Sequence, residues 1–133
     1  MIIEERSPTL DEYSYLRQSA GWKLTEELPT KNALENALYS VVAIDDEKVI
    51  GVGRVIGDGG LYYYVQDLIV DPDYQGRSYG KAMMTKLMDF IKQRAGPGSI
   101  IGLMAASGLE DFYMEFGFES KPEHGTGMYI IID

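Results

Sequence analysis

The sequence contains no cysteine and a single histidine. The first absence excludes disulfide frameworks, thiolate metal sites and cysteine nucleophiles. The second argues against a dedicated zinc or iron centre, so no metal is expected, and a Ser-His-Asp triad would have to use His124. Positive charge is scarce as well. Twelve Lys and Arg stand against 21 Asp and Glu, a net charge of −9. Binding nucleic acid needs a basic face, so nucleic acid is not an expected partner. Anionic lipid is disfavoured for the same reason. An acidic surface instead concentrates cations such as amines and guanidines. No apolar run reaches the ~20 residues of a membrane span. The start MIIEERS lacks the shape of a secretion signal. The expectation is a soluble, cytoplasmic protein without a membrane partner.

What is present fits one folded unit, residues 1–133, with 45% hydrophobic and 25% charged residues. Residues 1–6 have the pattern of a short strand, and Thr9 with Glu12 has capping-box spacing for a helix ending near Ser19. A second short helix is expected over 30–38. Strands are expected over 40–45 and 48–56, joined at Asp46-Glu47. The run LYYYVQDLIV, residues 61–70, is apolar on both faces and predicts a central strand, with its GLYYYV portion inside. Over 78–94 the stripe Gly80, Met83, Met84, Leu87, Ile91 opposes Lys81, Thr85, Lys86, Asp89, Lys92 and Gln93, the pattern of an amphipathic helix. A strand over 99–104, a short helix over 107–115 and a last strand over 127–132 complete the order. Helices between some strands and hairpins between others imply an α/β fold, a mixed sheet with helices on both faces.

The strongest local signal is VQDLIVDPDYQGRSYGKAMM, residues 65–84. A buried strand ends at Val70, a turn follows, and QGRSYG leads directly into the amphipathic helix. Gly76, Ser78 and Gly80 let a ligand approach the backbone. The first helical amides lack internal partners, and with the helix dipole they form a site for phosphate. Arg77 adds a positive side chain. Read blandly, Ser78 is a helix cap and Gly76 a turn residue. The hexapeptide is neither a Walker loop nor a dinucleotide fingerprint.

This junction resembles the acyl-CoA-binding motif of the GCN5-related N-acetyltransferase (GNAT) superfamily, Gln/Arg-x-x-Gly-x-Gly/Ala at a strand-to-helix junction. Gln75 and Gly80 match. Ser78 stands where the family usually has Gly, which puts a Cβ beside the pyrophosphate, while a Ser there is small and suited to cap the helix. A second match is FYMEFGFES, residues 112–120, which resembles the family's Phe-Tyr-x-x-x-Gly-Phe motif through Tyr113 and Gly117-Phe118. The two motifs occur in the family's order and spacing, and the element order covers essentially the whole chain.

The resemblance implies acetyl transfer from acetyl-CoA to a primary amine by direct attack in a ternary complex, without an acyl-enzyme. It implies that the main chain of Leu68, Ile69 and Val70 pairs with the pantetheine arm and that the Val70 amide polarises the thioester carbonyl. It implies that the amides from Gln75 through Gly76, Arg77, Ser78, Tyr79 and Gly80 to Lys81 hold the pyrophosphate. Tyr113 becomes the expected general acid for the leaving thiolate; a tyrosine beside Phe112 is otherwise a core residue. Asp67, a carboxylate in an apolar strand, is the expected catalytic base or else a satisfied structural group. Gln66, Glu27 and His124 are the other candidates. Strand alternation sets Asp67 on the face of Val65 and Ile69. The acceptor pocket is expected to include Trp22, Arg54, Tyr64 and His124, with Tyr62 or Tyr63 and Met128 nearby. Arg54 would there bind an acceptor carboxylate or phosphate, or make a structural ion pair.

The leading expectation is an acetyl-CoA-dependent N-acetyltransferase for a small-molecule amine. A protein or peptide acetyltransferase, a catalytically inactive CoA-binding sensor, and a module for another nucleotide are the competing readings. The resemblance also allows a homodimer.

Overall fold

The structure, a computed structural model, describes residues 1–132, with His124 described by its backbone alone. β1 (Ile2–Glu4) leads into α1 (Leu10–Ser19) and α2 (Glu27–Glu35). β2 (Tyr39–Asp45), β3 (Lys48–Gly57) and β4 (Tyr62–Val70) follow. α3 (Tyr79–Lys92), β5 (Ile100–Gly102) and α4 (Glu110–Met114) complete the helices and strands. The sheet runs in the order β1-β2-β3-β4-β5. Pairing is antiparallel from β1 to β4 and parallel between β4 and β5. This is the mixed sheet with helices on both faces that the order of elements implies.

Local chemistry explains most boundaries. Thr9 Oγ1 accepts from the Glu12 amide at 3.1 Å, and the Glu12 carboxylate accepts from the Thr9 amide at 2.8 Å. That reciprocal pair satisfies two free amides at the start of α1. Asp46 and Glu47 have φ of 50° and 62°. A two-residue hairpin turn needs positive φ at both positions to match the twist of its strands. On α3 the side chains of Met83, Met84, Leu87 and Ile91 are fully buried. Each such burial is worth about 1.5–3 kcal/mol. Under them lie Gly51 and Gly53 of β3. A Cβ on Gly51 would sit 2.8 Å from Met83 Cε, and one on Gly53 3.0 Å from Leu87 Cδ1. The two glycines thus let α3 lie close against the sheet.

The sheet separates two apolar clusters. On one face Val41, Val55, Tyr63 and Val65 pack with α3 and Tyr113. On the other, Val42, Val52 and Ile69 pack with Leu16 of α1, and Trp22 leans on them.

Four expectations need correction. First, strict alternation along β4 fails at Asp67. Val52 pairs with Ile69 but Arg54 with Gln66, so β4 carries one residue more than β3. Asp67 takes a positive φ of 57° in this bulge. A bulge reverses which side chains face which way, so Val65 joins the α3 cluster and Ile69 the α1 cluster. Second, α2 starts three residues earlier than expected and stops at Glu35. Third, Leu61 and Tyr62 are exposed, while Tyr63 and Val65 of the same run turn in. Fourth, residues 127–132 form no strand, and Met128 through Ile132 are exposed. A strand needs a neighbour for its backbone bonds, and residues 127–132 pair with none of β1 to β5.

Candidate active site

The bulge has a partner feature on the opposite edge of β4. β4 pairs with β5 only at Tyr62, Tyr63 and Tyr64. β5 ends at Gly102, and β4 runs on to Val70 with no strand paired to that edge among the described residues. An extended polyamide arm can add to such an edge as a further strand.

Where the free edge ends, the chain turns through Asp71 and a 3₁₀ turn, Pro72–Tyr74. Asp71 is buried and caps that turn, accepting from the Asp73 amide at 3.0 Å. It also accepts from the Tyr15 hydroxyl at 2.6 Å, with Lys48 Nζ 3.6 Å away. Burial works against its charged form, but the Tyr15 hydroxyl, the Asp73 amide and Lys48 outweigh it and hold the carboxyl below its ordinary range. The turn is thereby fastened to α1 and β3.

The loop 75–78 then enters α3. Gln75 spends its amide on Pro72 O and its side chain on Val70 O, so it shapes the loop. The first intrahelical bond of α3 runs from the Ala82 amide to Ser78 O. The amides of Tyr79, Gly80 and Lys81 precede it and have no intrahelical partner. Ser78 occupies the N-cap position with φ 67° and ψ 16°, and its side chain makes no capping bond. The expected cap by Ser78 is therefore not made, because a side-chain cap requires extended backbone at that residue. A Cβ on Gly80 would point at Phe112 and Val70, both 3.8 Å away, and so into the cleft. Arg77 lies over the Tyr74 ring and 3.9 Å from Asp45, and Tyr79 donates to Asp45 at 2.6 Å.

These pieces line one cleft of about 420 Å³, bounded by Leu68, Val70, Gln75, Gly76, Ser78, Tyr79, Gly80 and Lys81 on one side. Phe112 and Tyr113 of α4 close the other. Of the expected cofactor residues, Ile69 turns its side chain into the α1 cluster, and the exposed Arg77 side chain lies beside Asp45, outside the cleft lining. The cleft fits a CoA thioester: a free strand edge for an amide-bearing arm, unspent helical amides for a pyrophosphate, and no Cβ at Gly80 in the way. Tyr113 is 8% exposed, and burial pushes its phenol up, which keeps it protonated. Its hydroxyl has no hydrogen-bond partner among the described residues.

Four of the remaining expected residues, Arg54, Gln66, Asp67 and Trp22, assemble on the other face of β4. Arg54 is buried and donates to Asp67 Oδ2 through Nη2 at 2.8 Å and Nε at 3.0 Å. Tyr13 donates to the same oxygen at 2.7 Å, and Gln66 donates to Oδ1 at 3.0 Å. Asp67 is 4% exposed, with all of these donors turned upon it. Of the two alternatives for Arg54, the geometry matches the structural ion pair. Trp22 flanks this cluster under Arg17, whose guanidinium carbon lies 5.4 Å from the Trp22 ring and 5.7 Å from that of Tyr13. Tyr64 is half-buried and stands where β4 and β5 part, against Gly102. Glu27 is exposed at the start of α2. The side chain of His124 lies outside the described residues. Met128 is exposed.

Sequence reasoning missed Tyr13, Arg17 and the pair Tyr15–Asp71. Tyr13 and Arg17 are spaced i, i+4 on one helix face, the one signal that was available. Their partners lie some 50 residues on, beyond the reach of any local pattern.

A family model described as acetyltransferase (GNAT) domain matches residues 36–120. The GCN5-related N-acetyltransferase 2, chloroplastic, of Arabidopsis thaliana is 40% identical over 84 residues, 63% of this chain and 32% of that protein. The histone acetyltransferase TAP1 of Glycine max is 38% identical over 85 residues, 64% of this chain and 36% of that protein. The chain thus spans about a third of the length of these two plant relatives. A crystal structure of a Staphylococcus aureus protein of unknown function superposes with a TM-score of 0.93 at 34% identity, covering 98% of each chain. An acetyltransferase of the GNAT family from Streptococcus pneumoniae gives 0.79 at 27% identity, covering 99% of this chain and 97% of that one. The cleft beside the unpaired edge of β4, the matched residues and these likenesses agree: the chain belongs to the GNAT superfamily, whose members use acetyl-CoA.

Proposed function

We propose that the protein is an N-acetyltransferase that moves the acetyl group of acetyl-CoA to the primary amine of a small molecule. The observation that carries this reading is the convergence of three features on one cleft: the free edge of β4, the unspent amides of α3 and the protonated Tyr113.

In this reading the free edge from Val65 to Val70 takes the pantetheine arm and the amides of Tyr79, Gly80 and Lys81 take the pyrophosphate. The amine nitrogen attacks the thioester carbonyl, the new C–N bond forms and the C–S bond breaks. A backbone amide at Val70 steadies the oxyanion. The departing thiolate takes a proton from the Tyr113 hydroxyl, the amine gives up one proton to water, and a proton from solvent restores the Tyr113 hydroxyl. Tyr113 suits the acid role because burial keeps it protonated at neutral pH. Asp67 acts as a positioning residue: its oxygens are engaged by Arg54, Tyr13 and Gln66, so it braces β4 at the bulge rather than receiving the amine's proton. The family's use of acetyl-CoA supports the donor. No metal takes part in this scheme.

A protein acceptor is the second reading. The name of the soybean relative, a histone acetyltransferase, favours it, as does the acidic surface, which suits a basic peptide.

The test is calorimetric titration of acetyl-CoA into the purified protein with ATP as the control, followed by thiol release with amines and with a lysine-rich peptide. The reading expects one-site micromolar binding of acetyl-CoA, tighter than ATP by at least tenfold, and turnover of free amines. Equal binding of ATP sinks the donor assignment. Turnover of the peptide alone replaces the small acceptor by a protein.

A further inference from the structure

The cluster beside Trp22 is unbalanced. Two guanidiniums, Arg17 and Arg54, face one carboxylate, Asp67. Arg54 takes that carboxylate at hydrogen-bond distance, Nη2 to Oδ2 at 2.8 Å. Arg17 comes only to 3.9 Å of Oδ1, too far for a hydrogen bond. No other carboxylate pairs with either arginine among the described residues. Arg17 is also drawn out of water: its side chain is 17% exposed, between the rings of Tyr13 and Trp22. Its Nε donates to Lys23 O at 2.9 Å and its Nη1 to the Tyr13 hydroxyl at 3.3 Å. Its Nη2 has no hydrogen-bond partner among the described residues. A partly desolvated guanidinium without a full counter-charge is an unfavourable arrangement unless an anion completes it.

The place of this excess charge matters. Asp67 and Leu68 are consecutive in β4, yet Asp67 serves the α1 face while Leu68 lines the cofactor cleft. Their Cα positions are one residue of strand apart, about 3.3 Å along the backbone, and their side chains leave opposite faces of the sheet. A donor lying in the cleft fills the α3 and α4 side. On the acetyltransferase reading above, an acceptor that reaches β4 from the α1 side passes Trp22, Gln66 and Arg17.

We infer that Arg17 anchors a carboxylate on the acceptor, so that the preferred substrates are amines that also carry a carboxylate. This rests on the acetyltransferase reading above. The planar guanidinium suits a carboxylate, and the Trp22 ring offers an apolar wall to the carbon skeleton between the two ends. The protein's acidic surface does not oppose this. Exposed charges are screened beyond a Debye length of about 8 Å at physiological salt, whereas Arg17 acts by contact.

The test compares amines that differ only in the carboxylate: tyrosine with tyramine, phenylalanine with phenethylamine, and lysine with 1,5-diaminopentane. Thiol release is measured at saturating acetyl-CoA, and binding of the same compounds to the CoA-loaded protein by calorimetry. In at least one pair the carboxylated member is expected to be favoured at least tenfold, about 1.4 kcal/mol, and Arg17→Met is expected to reduce that preference below threefold. Arg17→Lys keeps part of it. Arg17→Met removes the bond to Lys23 O and can fail to fold, so the wild-type comparison stands as an independent arm. Equal or better use of the carboxylate-free amine in every pair overturns the inference, as does a preference that survives Arg17→Met. If no amine turns over, binding decides: no tighter binding of any carboxylated member overturns it equally. Failure of acetyl-CoA to bind would instead strike the acetyltransferase reading, so the two failures are told apart.

Discussion

The two faces of β4 around Asp67 are made of different materials. The α3 face offers main chain: a free strand edge, amides at a helix start, and a glycine that keeps the cleft open. The α1 face offers side chains: Tyr13, Arg17, Arg54, Gln66 and Asp67 joined across three elements. Main-chain sites demand small residues at fixed spacings and tolerate change elsewhere. Side-chain networks demand particular partners and fail as a unit. A group common to every reaction suits the first construction, and a group that varies from enzyme to enzyme suits the second.

The largest expected effect breaks the side-chain face. Arg54→Met leaves Asp67 buried without its guanidinium, and removing one partner of a buried pair costs about 3–5 kcal/mol. Denaturant unfolding should show a loss of that size with an unchanged m-value. Arg54→Met combined with Asp67→Leu should recover more than half of it, since no charge is then stranded. A loss below about 1 kcal/mol for the single variant would mean that the pair in solution is open to water, where such pairs are worth little.

The next effect falls on chemistry at the main-chain face. Tyr113→Phe removes the proposed acid and keeps the ring that packs edge-on against Phe112 at 5.1 Å. General-acid loss typically costs 10²–10⁴-fold, so kcat should fall by about a hundredfold while acetyl-CoA binding changes less than threefold. Burial raises this phenol above its usual value near 10. The proton is therefore held more tightly in the folded state, and the stability linked to it is complete below pH 10 and is lost as pH rises from there through the raised value. An activity decline below pH 10 must then come from another group. Weakened binding with unchanged kcat would remove Tyr113 from the chemistry and leave it as cleft wall.

What was legible in the chain divides along the same line. Gln75, Gly80 and Tyr113 sit in contiguous stretches whose spacing is itself the signal, and the structure gathers them at one cleft. The capping box at Thr9, the hairpin at Asp46 and the stripe on α3 are local periodicities and hold for the same reason. The α1 face is assembled by contacts spanning 13 residues from Arg54 to Asp67 and 54 from Tyr13 to Asp67, so Asp67 looked like an unexplained carboxylate. The bulge was also invisible. Nothing in VQDLIV announces an extra residue, and one residue suffices to turn Ile69 to the opposite face from Val65. The expected last strand failed because a β-prone run such as MYIII records propensity but not the presence of a neighbour.

The smallest effect tests the one residue where the main-chain face departs from the family pattern. Ser78 has φ 67°, a conformation that costs an L-residue about 1–2 kcal/mol and glycine almost nothing. Ser78→Gly removes that strain but frees the unfolded chain, which takes back about 0.5–1 kcal/mol. The net expectation is a gain of up to about 1 kcal/mol and a rise of a few degrees in Tm. Ser78→Ala separates the two properties of serine. It keeps the Cβ, and the hydroxyl that it loses makes no capping bond, so its Tm should match the wild type within a degree or two. Acetyl-CoA binding should tighten about two- to fivefold in Ser78→Gly and stay level in Ser78→Ala, because the Cβ and not the hydroxyl stands at the helix start that receives the pyrophosphate. If Ser78→Ala loses stability or affinity while Ser78→Gly does not gain, the hydroxyl is at work at the helix start, and this backbone site depends on a side chain after all.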